Sequence, residues 1–250
     1  MARYKLTLAY DGVGFFGSQK QANKRTVQGE LENALTELGW IGRSVIMSGR
    51  TDTGVHATGQ VASADLDWDH ADNKLLQALN SLLPNDVSVS AVEMADENFH
   101  PRFDAVSRTY RYRLFCQQLR DPIQERFLWR VWPSIKQDSL ADVAKQLLGT
   151  HDFFAFGSPT TPKGTTMRTV IKAEWTQMAE TEWQFEVQAN AFLYRMVRRM
   201  VFLQVAVAQG KVPVEEITRS LAKHTSIKQR SGLPSGLAPA HGLTLINVEY

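Results

Sequence analysis

Cysteine is nearly absent: Cys116 is the single one among 250 residues. A lone thiol excludes an intramolecular disulfide framework and a cysteine-rich zinc module, and it fits a reducing cytoplasm. Charge of one sign is also lacking. Twenty-eight Lys and Arg face 26 Asp and Glu for a net +2, which neither demands nor forbids a nucleic-acid partner. Long apolar runs are missing too. The longest, residues 191–208, is interrupted by Arg195, Arg198 and Arg199, too polar and too short for a membrane span. A strand-like alternation begins at once, without the apolar stretch of an export signal, so a soluble, unexported, cytoplasmic chain is expected. The six histidines show no HExxH spacing, and His151-Asp152 lacks the nearby ligands a zinc ion would need; no metal is expected.

What is present is 43% hydrophobic residues, enough for one large or two modest cores. Tyr4, Leu6, Leu8 and Tyr10 alternate as a half-buried strand does, up to the glycine-rich stretch 11–17. Val27, Leu31, Ala34, Leu35 and Leu38 then recur at helical spacing, with Thr26 as N-cap and Gly39 as stop. Strands around 43–47 and 58–65 follow, then a helix on Leu75, Leu76, Leu79, Leu82 and Leu83 that ends at Pro84, and a strand on Val87, Val89 and Ala91. This βαββαβ order is the split ferredoxin-like unit, with helices on one face of an antiparallel sheet. The pattern returns without any sequence repeat: a strand on Tyr110, Tyr112, Leu114 and Cys116, a helix on Leu140, Val143, Ala144, Leu147 and Leu148, and strands at 170–178 and 183–189. A long helix at about 191–209, a shorter one at about 214–223 and a strand at 243–250 complete it, with loops at 159–164 and 231–239. The fold class expected is α/β, of the α+β type, in two halves, residues 1–104 and 105–250.

Gly12-Val-Gly-Phe-Phe-Gly17 matches the dinucleotide fingerprint GxGxxG. That motif works only where a helix begins at its glycines, and here polar residues 18–25 intervene, so a turn is the better reading. Asp52-Thr-Gly54 is the tripeptide of aspartic proteases. Those enzymes need two such carboxylates sharing a proton, whereas this chain has one copy, with Arg50 two residues away to keep it ionised. Taken alone, an Asp before Thr-Gly is an ordinary turn residue. Three observations point further. Arg50-Thr-Asp-Thr-Gly54 lies between two predicted strands, where loops display catalytic groups. Arg198 falls among Leu193, Met196, Val197, Met200 and Val201, so it must snorkel to water or find a carboxylate. Arg108-Thr-Tyr-Arg-Tyr-Arg113 puts rings on one face of a strand and guanidinium groups on the other, a composition that suits unpaired bases and phosphates as well as a plain charged edge strand.

Gly49-Arg-Thr-Asp-Thr-Gly-Val-His-Ala57 resembles the signature of the tRNA pseudouridine synthase A family. Further matches run along nearly the whole chain: Tyr10-Asp-Gly12, Thr26-Val-Gln28, Phe99-His-Pro-Arg-Phe-Asp104, Arg108-Thr-Tyr-Arg-Tyr112, His151-Asp-Phe153, Arg168-Thr169, Asn190-Ala-Phe-Leu193, Met196-Val-Arg198 and Ala238-Pro-Ala-His-Gly-Leu243. The resemblance implies two ferredoxin-like halves joined in one mostly antiparallel sheet, with helices on one face and a central catalytic cleft. It further implies Asp52 as the catalytic aspartate, Tyr110 stacking on the target base, Arg198 as partner of Asp52 and Arg50 engaging the flipped RNA. The activity implied is conversion of uridine to pseudouridine at positions 38, 39 and 40, on the 3′ side of the tRNA anticodon stem-loop, by a homodimer without cofactor or metal. Asp52 would attack the sugar or remove a sugar proton, and the residues leave both routes open. Two departures stand out: Ser18 where the family usually has Trp, and Phe202 where it usually has Gly. The first bears on RNA contacts and the second on helix packing. The alternative from another class is a catalytically silent RNA-binding platform, which would bind without forming product.

Overall fold

The alternation that starts at Tyr4 becomes strand β1, Ala2–Tyr10, with Tyr4, Leu6, Leu8 and Tyr10 all buried. In the computed structural model, which describes residues 1–135, 137–161, 164–222 and 233–250, the chain divides into two units, residues 1–106 with 244–250, and residues 107–243. After β1 come helix α1 (Val27–Glu37), strands β2 (Ile46–Met47) and β3 (His56–Leu66), helix α2 (Asp72–Leu82) and strand β4 (Val87–Ala95). Both helices obey local chemistry. Thr26 Oγ1 accepts the Gly29 N–H at 3.2 Å, satisfying a first-turn donor, and Gly39 takes φ +88° to turn the chain off the end of α1. Leu31, Leu35, Leu75 and Leu79 are fully buried, as their spacing predicts. β1 lies between β4 and β3, antiparallel to each, with Tyr4 opposite Met94 on one side and Ala64 on the other. β2 adds to the far edge of β3, Ile46 opposite Ser63.

The second unit holds β5 (Ser107–Cys116), β6 (Trp129–Val131), α3 (Gln137–Gln146), β7 (Gly149–Asp152), β8 (Met167–Gln177), β9 (Glu182–Ala189), α4 (Met196–Ala208) and α5 (Val214–Leu221). Its sheet runs β5-β9-β8-β7, every neighbour antiparallel, while β6 pairs parallel to β5. Each unit is thus mixed α and β around mostly antiparallel pairing. β6 and β7 are too short to produce a readable alternation in sequence. Position 223, where spacing ends the shorter helix, and parts of the loops expected at 159–164 and 231–239 lie outside the described residues. Among the described residues no helix is long and apolar enough to cross a membrane.

Two boundaries differ from what spacing predicts. Apolar periodicity starts the long helix near 191, yet α4 begins at Met196. Residues 190–194 are held outside the helix instead: Asn190 Oδ1 accepts the Thr169 and Ala191 N–H groups, and the Tyr194 N–H donates to Ser158 O at 2.9 Å. Arg195, at φ +63°, then turns the chain into the helix. The last strand, β10 (Leu243–Glu249), continues the second half in sequence order, but residues 244–250 cluster with the first unit. There β10 runs parallel to β3, with Thr244 opposite His56 and Leu245 opposite Ala57. Sequence order carries no information on which edge a terminal strand joins.

Candidate active site

Asp52 sits on the connection from β2 to β3, in a tight turn closed by the Val55 N–H donating to the Asp52 carbonyl at 3.1 Å, with Gly54 at φ +79°. A bond from the first to the fourth residue, with a left-handed glycine third, has the features of a type II turn. The turn is therefore closed through the Asp52 main chain, and the half-buried carboxylate is a separate feature.

The neighbouring residues are clamped from beneath. The fully buried Ser18 donates its N–H to Thr51 O at 3.1 Å and accepts the Thr51 N–H on Oγ at 2.9 Å. Tyr10 Oη and Thr51 Oγ1 share a hydrogen bond of 2.9 Å. Burial pushes the Tyr10 hydroxyl up to about 12, against the smaller opposing effect of its bonds to Thr51 and Gln60; the group is a neutral structural post. Gln60 Nε2 donates to Gly49 O at 3.0 Å, its Oε1 accepts from Ser48 Oγ at 2.6 Å, and the Ser48 N–H donates to Val61 O at 2.8 Å. His56 Nδ1 accepts the Gly12 N–H at 3.1 Å. The glycines of the GxGxxG match find their reason here. A Cβ on Gly12 would lie 2.0 Å from Val55 O, and one on Gly17, itself at φ +88°, 2.8 Å from Thr51 O. Close approach of two loops, not phosphate binding, uses them.

Arg50, next along this loop, is exposed. In the other unit Tyr110 is a half-buried residue of β5, its ring edge-on to Phe192 at 5.1 Å between centroids. Its strand-mate Tyr112 is buried and donates its hydroxyl to Pro239 O at 2.8 Å. The guanidinium groups on the opposite face do not stand ready for phosphate as the composition suggests. Arg111 pairs with Glu186 at 2.9 Å and Arg113 with Glu182 at 2.5 Å, both carboxylates on β9. Arg198 is in the first turn of α4 and half-buried; its Nε donates to Ala238 O at 2.8 Å while its own carbonyl accepts the Ala238 N–H at 3.2 Å. A main-chain carbonyl is therefore one of the partners of this guanidinium. Asp52 belongs to one unit, Tyr110 and Arg198 to the other.

Ser18 and Gln60 are contributors that residue spacing does not single out, because a buried hydroxyl or amide carries no periodic signal; spacing places Tyr10 in β1 but not against Thr51. Of the two departures, Ser18 is wholly buried against Thr51 rather than exposed toward a ligand. Phe202 fits because Gly236 has no Cβ, which would otherwise stand 2.4 Å from the Phe202 ring. His151 and Asp152 have structural partners: His151 Nε2 meets Leu148 O at 2.7 Å, and Asp152 Oδ1 accepts from Thr166 Oγ1 at 2.5 Å. Among the described residues no three His, Cys, Asp or Glu side chains cluster to hold a metal ion.

Residues 7–104 and 143–250 match the family model described as tRNA pseudouridine synthase. The chain is 37% identical over 252 residues to the tRNA pseudouridine synthase A of Listeria innocua, covering the whole of both chains. It is 38% identical over 251 residues to that of Bacillus subtilis, covering 99% of each. With that of Chloroflexus aurantiacus it shares 39% over 256 residues, all of this chain and 89% of the other.

Proposed function

This chain belongs to the tRNA pseudouridine synthase family, isomerases that act on uridine in tRNA, and from that premise we propose that it modifies positions 38, 39 and 40 of the anticodon stem-loop with Asp52 as its catalytic carboxylate. The observation that carries the reading is the setting of Asp52. One half-buried carboxylate is presented on a turn whose flanking residues Ser48, Gly49, Thr51, Val55 and His56 are held by hydrogen bonds. Such rigidity is what a group needs to meet a reacting atom at a set distance.

In the reaction the bond from the ribose anomeric carbon to the base nitrogen breaks, the base turns, and the anomeric carbon bonds to carbon five of the ring. Carbon five loses its proton and the freed nitrogen gains one, so the product is an isomer and no oxidant or reductant takes part. The target uridine leaves the stem at a cost of roughly a few kcal/mol, which stacking on Tyr110 offsets by about 1–3 kcal/mol. Asp52 acts on the ribose while the base is detached. Arg50 engages the flipped RNA, and the enzyme works as a homodimer in the cytoplasm without cofactor. The test is tritium release from tRNA labelled at carbon five of uridine. Asp52→Ala is expected to reduce turnover to background while RNA binding persists; normal turnover by that variant would sink the assignment of Asp52.

A further inference from the structure

We propose that Ser18 is a positioning residue for the reaction: by gripping Thr51 at both its N–H and its C=O, it sets the main chain from which the Asp52 carboxylate projects. The inference rests on the reading of Asp52 as the catalytic carboxylate.

Both main-chain polar groups of Thr51, the residue immediately before Asp52, end on Ser18. Its carbonyl accepts the Ser18 N–H at 3.1 Å, and its N–H donates to Ser18 Oγ at 2.9 Å. The remaining polar atom of Thr51, its hydroxyl, is held by Tyr10 at 2.9 Å. Ser18 is itself anchored, since its carbonyl accepts the Gln28 N–H in the first turn of α1 at 2.9 Å. A continuous line of bonds therefore runs from the start of α1 through Ser18 to the peptide that carries Asp52. Gly17 makes the approach feasible, because at φ +88° it delivers Ser18 to a place where a Cβ on residue 17 would strike Thr51 O.

The serine is chemically specific in this role. It is 0% exposed, so no water replaces a lost partner, and its hydroxyl supplies the acceptor that the Thr51 N–H needs. The tryptophan that the family resemblance leads one to expect has an indole N–H, a donor with no acceptor, and could not receive that proton. This chain thus fixes its catalytic turn through an interaction tied to its own departure at residue 18.

Three variants, Ser18→Ala, Ser18→Cys and Asp52→Ala, test the proposal, through tritium release under saturating tRNA and amide hydrogen exchange of the free protein. Ser18→Ala removes the acceptor and Ser18→Cys keeps the size with a weaker one. The expected result for Ser18→Ala is a kcat lower by about ten- to a hundredfold with KM within about twofold, because the loss is of alignment rather than of binding. Ser18→Cys should fall between it and the parent. The Thr51 amide should exchange at least about tenfold faster in Ser18→Ala while amides in the middle of β1 and β3 keep their rates. Should Ser18→Ala fail to fold, Ser18→Cys is read by the same two measurements. A parental kcat, or an unchanged Thr51 amide rate, overturns the proposal. Turnover persisting in Asp52→Ala overturns the catalytic reading instead, and the Thr51 amide rate still decides whether Ser18 grips the turn.

Discussion

Glu32 is almost fully buried in α1, and three neighbours keep it charged. Its carboxylate takes the Lys20 ammonium at 2.7 Å, the Gln28 amide at 2.8 Å and the Val45 N–H at 3.1 Å. Burial pushes the Glu32 carboxyl up, but those partners outweigh it and hold the group below the usual glutamate range. The consequence for stability has a definite sign. A carboxyl depressed in the folded state binds fewer protons than in the unfolded chain, so its contribution is present above the unfolded value and is lost as pH falls through the folded one. Glu32→Gln is expected to remove that part of the acid-side loss, seen as a smaller difference in urea midpoint between neutral and acidic buffer. Glu32→Ala leaves the Val45 N–H short of an acceptor, while the Gln28 amide keeps Ser44 Oγ at 2.7 Å and Lys20, 58% exposed, turns to water. At roughly 1–3 kcal/mol for a buried group deprived of its partner, the expected loss is about 1–3 kcal/mol. A lower urea midpoint at unchanged slope would report it, and a parental midpoint would count against the network. By contrast, Arg111 and Arg113 make part-exposed pairs with Glu186 and Glu182, worth at most about 1 kcal/mol each.

Among the elements, β10 bears most directly on the site. It pairs with β3 at His56 and Ala57, the residues that leave the Asp52 turn. Its approach depends on Gly59, where a Cβ would lie 2.3 Å from Ile246 O. The strand's end is fastened by Val106 N–H donating to Glu249 O at 2.8 Å and by the Tyr250 hydroxyl donating to Pro101 O at 2.9 Å. Gly59→Ala should therefore drive β10 off β3. The expected outcome is a stability loss of about 1–3 kcal/mol, the range for overpacking, with faster amide exchange concentrated in β10 and at the His56 end of β3. Exchange that quickens evenly over the whole chain would show that Gly59 does not act through β10. Sequence spacing made α1 legible from Thr26 to Gly39, since capping and apolar period are local. It did not make the start of α4 legible, because what delays that helix to Met196 is bonding to Ser158 and Thr169, far away in the chain.

For the molecule as a whole, a net charge of +2 does not by itself make an RNA-binding surface. Three cations of the second unit's sheet, Arg111, Arg113 and Lys172, are paired with three carboxylates, Glu186, Glu182 and Glu174. Attraction for tRNA must then come from cations elsewhere, and the exposed Arg50 is one. The homodimer carried by the family resemblance belongs to this scale. Sedimentation equilibrium at assay concentration is expected to give the mass of two 28.1 kDa chains, and a single-chain mass would remove the dimer from the reading.

The sequence by itself determined the kinds of element and several of their ends, and the family signature it carries singled out the carboxylate proposed as catalytic. Periods of two and 3.6 residues, a threonine cap, a glycine stop and a proline break act over a few residues and are written in order. Only the tertiary structure decided that β10 joins β3, that Arg111 and Arg113 of β5 pair with carboxylates of β9, and that Asp52 stands on a turn gripped by Ser18 and Tyr10. Those partners lie 33 and 41 positions from Thr51, and a hydrogen bond depends on separation in space, which the chain acquires only when its sheets have formed.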